Sequence, residues 1–125
     1  VYEPSTRTLK YGSAGHPPAR IVEPSGRVKS LGVSGLPLGI EPDQEYPSEH
    51  IELEPGSVVV LYTDGVLEAR RDGELYGEER LDRLLSEHHD FPAQELASAI
   101  LDDCRRHAGG DLSDDCAIVC LKLAR

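Results

Sequence analysis

The run Ser57-Val58-Val59-Val60-Leu61-Tyr62-Thr63, which ends on Asp64-Gly65, limits the folds open to this chain more than any other stretch. A strand with one wet face alternates apolar and polar residues. An unbroken β-branched and aromatic run instead suits a strand buried on both faces. The chain is 125 residues long, enough for one domain with a core but not for two. At 38% hydrophobic and 29% charged residues, its composition is that of a soluble globular protein.

Around that run the front half reads as strands. Thr8-Leu9-Lys10-Tyr11 alternates, and Arg20-Ile21-Val22-Glu23 and Arg27-Val28-Lys29-Ser30-Leu31 flank the turn Pro24-Ser25-Gly26. Residues 32–39 form a Gly- and Pro-rich connection. Between residues 41 and 54 stand six acids and no Lys or Arg, which suits a solvated loop leading into a strand with a polar face. Residues 49–53 alternate. After Asp64-Gly65 a short extended piece over residues 66–70 is expected to meet the Asp72-Gly73 turn. Leu81, Leu84, Leu85 and His88 lie at helical spacing, with Glu78 and Glu79 in the first turn, where the helix dipole favours acids. Leu96, Ala97, Ile100, Leu101 and Cys104 make a second helical stripe that starts at Pro92 and ends at Gly109-Gly110. A last strand over residues 116–123 puts Cys116, Ile118 and Cys120 on one face and Ala117, Val119 and Leu121 on the other. Strands, then a helical pair, then one strand predict an α+β fold.

Charge and composition exclude several functions. The net charge of −10 argues against a nucleic-acid partner, which would need clustered Lys and Arg, and fits a protein that binds cations or basic surfaces. The longest apolar stretch, Val58–Tyr62, is far short of the ~20 residues that span a bilayer, and no signal peptide opens the chain, so no membrane association is expected. Three cysteines, Cys104, Cys116 and Cys120, read as reduced thiols of a cytoplasmic protein. The chain contains no methionine, so Val1 is expected to be a cut point of a longer or processed chain.

Most catalytic motifs are missing. Gly32, Gly35 and Gly39 have the wrong spacing for a dinucleotide loop, there is no P-loop, and no Gly-x-Ser-x-Gly elbow occurs. Asp111-Leu112-Ser113-Asp114-Asp115 fails as a calcium loop, because Cys116 stands where Gly is needed and Lys122 where Glu is. Cys104, His107 and Cys116 make a weak zinc set, more simply explained by buried thiols and a histidine at a helix end.

What remains is carboxylate placed by strands. Asp64 follows the buried run, and Gly65 lets a backbone or ligand approach closely. Asp114-Asp115 precedes the last strand. If the two strands are antiparallel neighbours, Asp64 and the Asp114-Asp115 pair converge on one rim. Convergent carboxylates repel unless a hard divalent cation neutralises them. A plain Asp-Gly turn and a capping turn at Ser-Asp-Asp account for the same residues.

Five motifs in order carry a family resemblance: Ala14-Gly15-His16-Pro17-Pro18, Leu36-Pro37-Leu38-Gly39-Ile40, Leu61-Tyr62-Thr63-Asp64-Gly65-Val66-Leu67-Glu68-Ala69, Tyr76-Gly77-Glu78-Glu79-Arg80-Leu81 and Ser113-Asp114-Asp115. The chain resembles the C-terminal part of the metal-dependent serine/threonine protein phosphatases (PPM family), in their bacterial SpoIIE-like branch. The resemblance implies part of an α-β-β-α sandwich, two antiparallel sheets flanked by helices, with a two-metal Mn²⁺ or Mg²⁺ site at one end. It makes residues 1–125 the C-terminal portion of a single domain whose N-terminal half is absent. That half would bring the Asp that bridges both metals. Carried over by motif, Asp64 and Asp114 are metal ligands, with Asp115 the alternative to Asp114, Gly65 lines the site, and His16 either lines it too or packs to hold its own turn. Glu68 and Arg70 hold the loop after Asp64. The implied activity is hydrolysis of phosphoserine or phosphothreonine by metal-activated water, weak or absent in this chain alone. The implied substrate is a phosphorylated regulator of a sigma factor, of the anti-sigma-factor antagonist type. The other function open to the chain is a non-catalytic, phosphatase-derived module that binds a partner or forms a homodimer through exposed sheet edges.

Overall fold

The computed structural model describes residues 1–32 and 35–125. Of the expected connection over residues 32–39, Val33 and Ser34 lie outside the described residues. The strands are β1 (Tyr2–Glu3), β2 (Thr8–Tyr11), β3 (Arg20–Val22), β4 (Val28–Ser30), β5 (Glu49–Glu52), β6 (Val58–Tyr62), β7 (Arg70–Arg71), β8 (Glu74–Leu75) and β9 (Ile118–Lys122). The helices are α1 (Asp64–Leu67), α2 (Gly77–Glu87) and α3 (Ala93–Ala108). One sheet has the order β1-β2-β5, a second β4-β3-β6-β9, and β7-β8 form a separate hairpin; every pairing is antiparallel.

The β-branched run takes the middle of the larger sheet. β6 pairs with β3 (Arg20↔Val60, Val22↔Val58) on one side and with β9 (Val58↔Lys122, Tyr62↔Ile118) on the other. One sheet face carries Val22, Val58, Val60 and Tyr62, and α2 and α3 cover it with Leu81, Leu84, Leu85, Leu96, Ile100 and Cys104. The amphipathic stripes therefore did what their spacing required. The opposite face, through Ile21, Val59 and Leu31, packs on Leu9 and Ile51 of the three-stranded sheet, with Leu53 and Leu123. Two antiparallel sheets stacked face to face with a helical layer outside make the β-β-α part of the expected sandwich.

Three local expectations are corrected. The central strand is not buried on both faces along its length: Leu61 is 45% exposed, as are Val119 (58%) and Leu121 (45%) beside it. The small sheet covers Ile21 and Val59 but stops short of that corner, where an apolar groove of about 680 Å³ remains. Of residues 66–70, expected as extended, Val66 and Leu67 belong instead to a helical turn, Asp64–Leu67, closed by the Glu68 N–H donating to Asp64 O. Val66 and Ala69 are buried three residues apart, a helical interval the short segment was too brief to display. The last strand starts at Ile118 rather than Cys116, because the backbone around Ala117 bonds to Thr63 at the rim.

The turns follow their residues. Asp72 and Gly73 both have positive φ (51° and 82°), the geometry of a two-residue hairpin turn. Gly109 ends α3 in the left-handed conformation, with its N–H on Arg105 and Arg106 carbonyls. Among the described residues no helix is long and apolar enough to cross a membrane.

Candidate metal centre

Strands β6 and β9 deliver the acidic residues to one rim. Beyond the last strand pair, the Thr63 N–H donates to Ala117 O at 3.1 Å. The Thr63 hydroxyl donates to Asp115 O at 3.2 Å and accepts from the Ala117 N–H at 3.0 Å. One threonine thus fastens the start of α1 to the segment that carries Asp114 and Asp115. The antiparallel pairing on which convergence depended is present.

Gly65 makes the approach possible. A Cβ built there would lie 2.3 Å from Asp115 O and 3.1 Å from Cys116 Sγ. The backbone after Asp64 passes so close to Asp115 that only glycine fits. Asp64, Asp114 and Asp115 are all exposed. Asp114 Oδ1 accepts from the Asp115 N–H at 2.7 Å, which fixes one oxygen of that carboxylate and leaves the other free. Asp111, Asp114, Asp115 and Arg105 share a shallow pocket at this end.

His16 sits elsewhere. It is exposed, its Nδ1 lies 3.0 Å from Pro17 O, and it borders the apolar groove with Leu61 and Val119 rather than the pocket of Asp114 and Asp115. Glu68 follows α1 as its exposed C-cap, and Arg70 opens the β7–β8 hairpin. The structure therefore brings the backbone at Thr63 and Gly65 against Asp115, leaves Asp64 outside the lining of the pocket that Asp114 and Asp115 share, and sets His16 on a neighbouring surface.

The sequence reading gave no role to Thr63, Tyr62 or Arg20. Thr63 is the fastener just described. Tyr62 and Arg20 are buried behind the rim at 2% exposure each. Burial pushes the Tyr62 phenol up, and the Arg20 charge works against that shift. The phenol stays a hydrogen-bond donor. A polar residue at the end of an otherwise apolar strand was the available signal for both.

A carboxylate-only donor set suits a hard dication such as Mg²⁺ or Mn²⁺ rather than zinc or copper. The contact at Gly65, which leaves no room for a Cβ, holds the two backbone segments of the rim close together. Among the described residues no group of three or more His, Cys, Asp or Glu is arranged so that it could hold a metal ion. The residues present fit a share of a dication site.

The family model of stage II sporulation protein E (SpoIIE) matches residues 1–124. The chain belongs to the SpoIIE family. The family assignment agrees with the PPM-type resemblance of the motifs. Phosphoserine phosphatase RsbU of Bacillus subtilis is 31% identical over 122 residues, which are 97% of this chain and 36% of RsbU. The Mn-presoaked phosphatase domain of SpoIIE from Bacillus subtilis superposes with a TM-score of 0.81 at 20% identity, over 100% of this chain and 54% of that one. The RsbU and RsbW domains of a Mycobacterium tuberculosis protein match with a TM-score of 0.82 at 23% identity, over 98% of this chain and 34% of that one. These structures share the fold. The SpoIIE-family chain spans about a third of RsbU and about half of the SpoIIE phosphatase domain.

Proposed function

We propose that this chain is the C-terminal portion of a metal-dependent protein phosphatase domain. Its substrate is phosphoserine or phosphothreonine on a regulatory protein, of the type that antagonises an anti-sigma factor, in the cytoplasm. The observation that carries the reading is the close backbone approach of Thr63 and Gly65, on either side of Asp64, to Asp115 at one end of β6 and β9. The similarity to a phosphoserine phosphatase supports it.

Asp64 and Asp114 would hold a Mn²⁺ or Mg²⁺ ion, with Asp115 the alternative to Asp114. When bound, such an ion activates water and bears the charge that develops as phosphorus is attacked. The chain's own residues orient the carboxylates. Thr63 locks the two backbone segments together, and Gly65 lets them close to contact. Two carboxylates are too few for a two-metal centre, so residues 1–125 alone are weakly active or inactive.

A partner-binding or dimerisation module is the second reading, favoured by the exposed Leu61, Val119 and Leu121 along the groove. Mn²⁺ titration by calorimetry on the chain and on Asp64→Asn and Asp114→Asn separates the two. Saturable binding that both substitutions abolish supports the phosphatase centre. No binding by the folded chain favours the module.

A further inference from the structure

Arg20 is a buried cation at the start of β3 in the larger sheet, at 2% exposure. Its Nε donates to Asp82 Oδ1 at 2.8 Å, and its Nη2 lies 3.5 Å from Glu78 Oε1, both on the first half of α2. Its Nη1 donates to Ser30 Oγ on β4 at 3.0 Å and to Pro18 O at 3.1 Å. The same Pro18 carbonyl accepts from the Tyr62 hydroxyl at 2.8 Å. Tyr62 is the last residue of β6, two residues before Asp64.

We propose that Arg20 is a positioning residue for the carboxylate rim, holding the His16-Pro17-Pro18 turn and the end of β6 in one frame and tying both to α2. A buried ion pair is weak evidence for stability, because desolvation offsets its attraction. What the guanidinium supplies instead is geometry: a planar fork of fixed donors that reaches four groups on three segments. A lysine there would keep the charge and lose that fork. Asp82 and Glu78, at 41% and 56% side-chain exposure, form the end of the network open to solvent. Movement of α2 would therefore reach Asp64 through Arg20, Pro18 and Tyr62.

The reading rests on the proposed metal centre only for its metal-binding consequence. The test compares Arg20→Lys, Tyr62→Phe and Asp82→Asn with Ser30→Ala, which removes an Arg20 contact on the side away from the rim. Backbone amide NMR shifts are recorded on metal-free protein, and Mn²⁺ affinity by calorimetry, at a temperature where every variant is folded. The first three variants shift the amides of Thr63, Asp64 and Gly65 and weaken Mn²⁺ about tenfold, the scale of losses when a ligand's supporting partner is removed. Ser30→Ala does neither. Shifts confined to each variant's own neighbours, with Mn²⁺ affinity within about twofold, overturn the proposal. If the parent chain binds no Mn²⁺, the metal-centre reading fails by itself, and the amide shifts alone decide the role of Arg20. Asp82→Asn probes the network from its exposed end, so the outcome does not depend on Arg20→Lys folding.

Discussion

Replacing Gly65 by alanine tests the closeness of the rim. In an open helical turn the substitution would gain up to about 1 kcal/mol in helix propensity. Here the new Cβ lies 2.3 Å from Asp115 O, so the backbone must open by about 0.7 Å to reach even 3.0 Å. That displacement stretches the bonds of Thr63 to Asp115 and Ala117, now 3.0–3.2 Å, beyond hydrogen-bonding length. Losing two or three such bonds costs roughly 1 kcal/mol each. Steric opening outweighs propensity, for a net loss of about 1–3 kcal/mol. At roughly 3–6 °C per kcal/mol for a domain of this size, the midpoint falls by about 3–18 °C. The assay is thermal unfolding by circular dichroism, with urea titration for the free energy. Gly32→Ala, where a Cβ meets nothing within 4 Å among the described residues, serves as the control and moves little. A Gly65→Ala protein that melts at or above the parent would refute the close approach and, with it, the reason for glycine after Asp64.

Further outcomes follow from burial. Burial pushes the Cys104 thiol up to about 12 and Cys120 up to about 11, so in native protein at pH 8 both alkylate far more slowly than in urea. Because the folded values are raised, their contribution to stability is full below the unfolded value near 9 and falls as pH rises from there towards 11–12, which alkaline melting curves will show. Tyr76→Phe removes the hydroxyl that donates to Asp103 at 2.7 Å and destabilises by about 1 kcal/mol in urea titration, Asp103 keeping Arg106 as a partner. Leu96→Ala, at a fully buried site between α3 and the sheet, costs about 2–5 kcal/mol by the same measurement. Val60→Thr, which buries a hydroxyl, costs about 1–3 kcal/mol, whereas Val119→Thr on the half-open face stays within about 0.5 kcal/mol.

Local pattern carried the elements whose residues state their own period. The valines of β6, the leucine stripes of α2 and α3, and the Asp72-Gly73 turn were legible because strand, helix and hairpin each impose a spacing on neighbours in sequence. The one-turn helix α1 was not, since four residues are too few to display a period. Asp64 and Asp114-Asp115 could be singled out as strand-end acids. Their meeting required β9 to choose β6 as its neighbour across some fifty-five residues of intervening chain.

By itself, then, the sequence determined the longer strands and the two amphipathic helices, which residues are acidic at strand ends, and the family to which the motifs belong. Only the tertiary structure decided that Thr63 clasps Asp115, that Gly65 has no room for a side chain, that Arg20 is buried rather than solvated, and that Leu61 is half exposed. The physical reason is range. Propensity and periodicity act between residues a few positions apart, whereas contact, burial and shared hydrogen-bond acceptors depend on which distant segments the whole chain packs together.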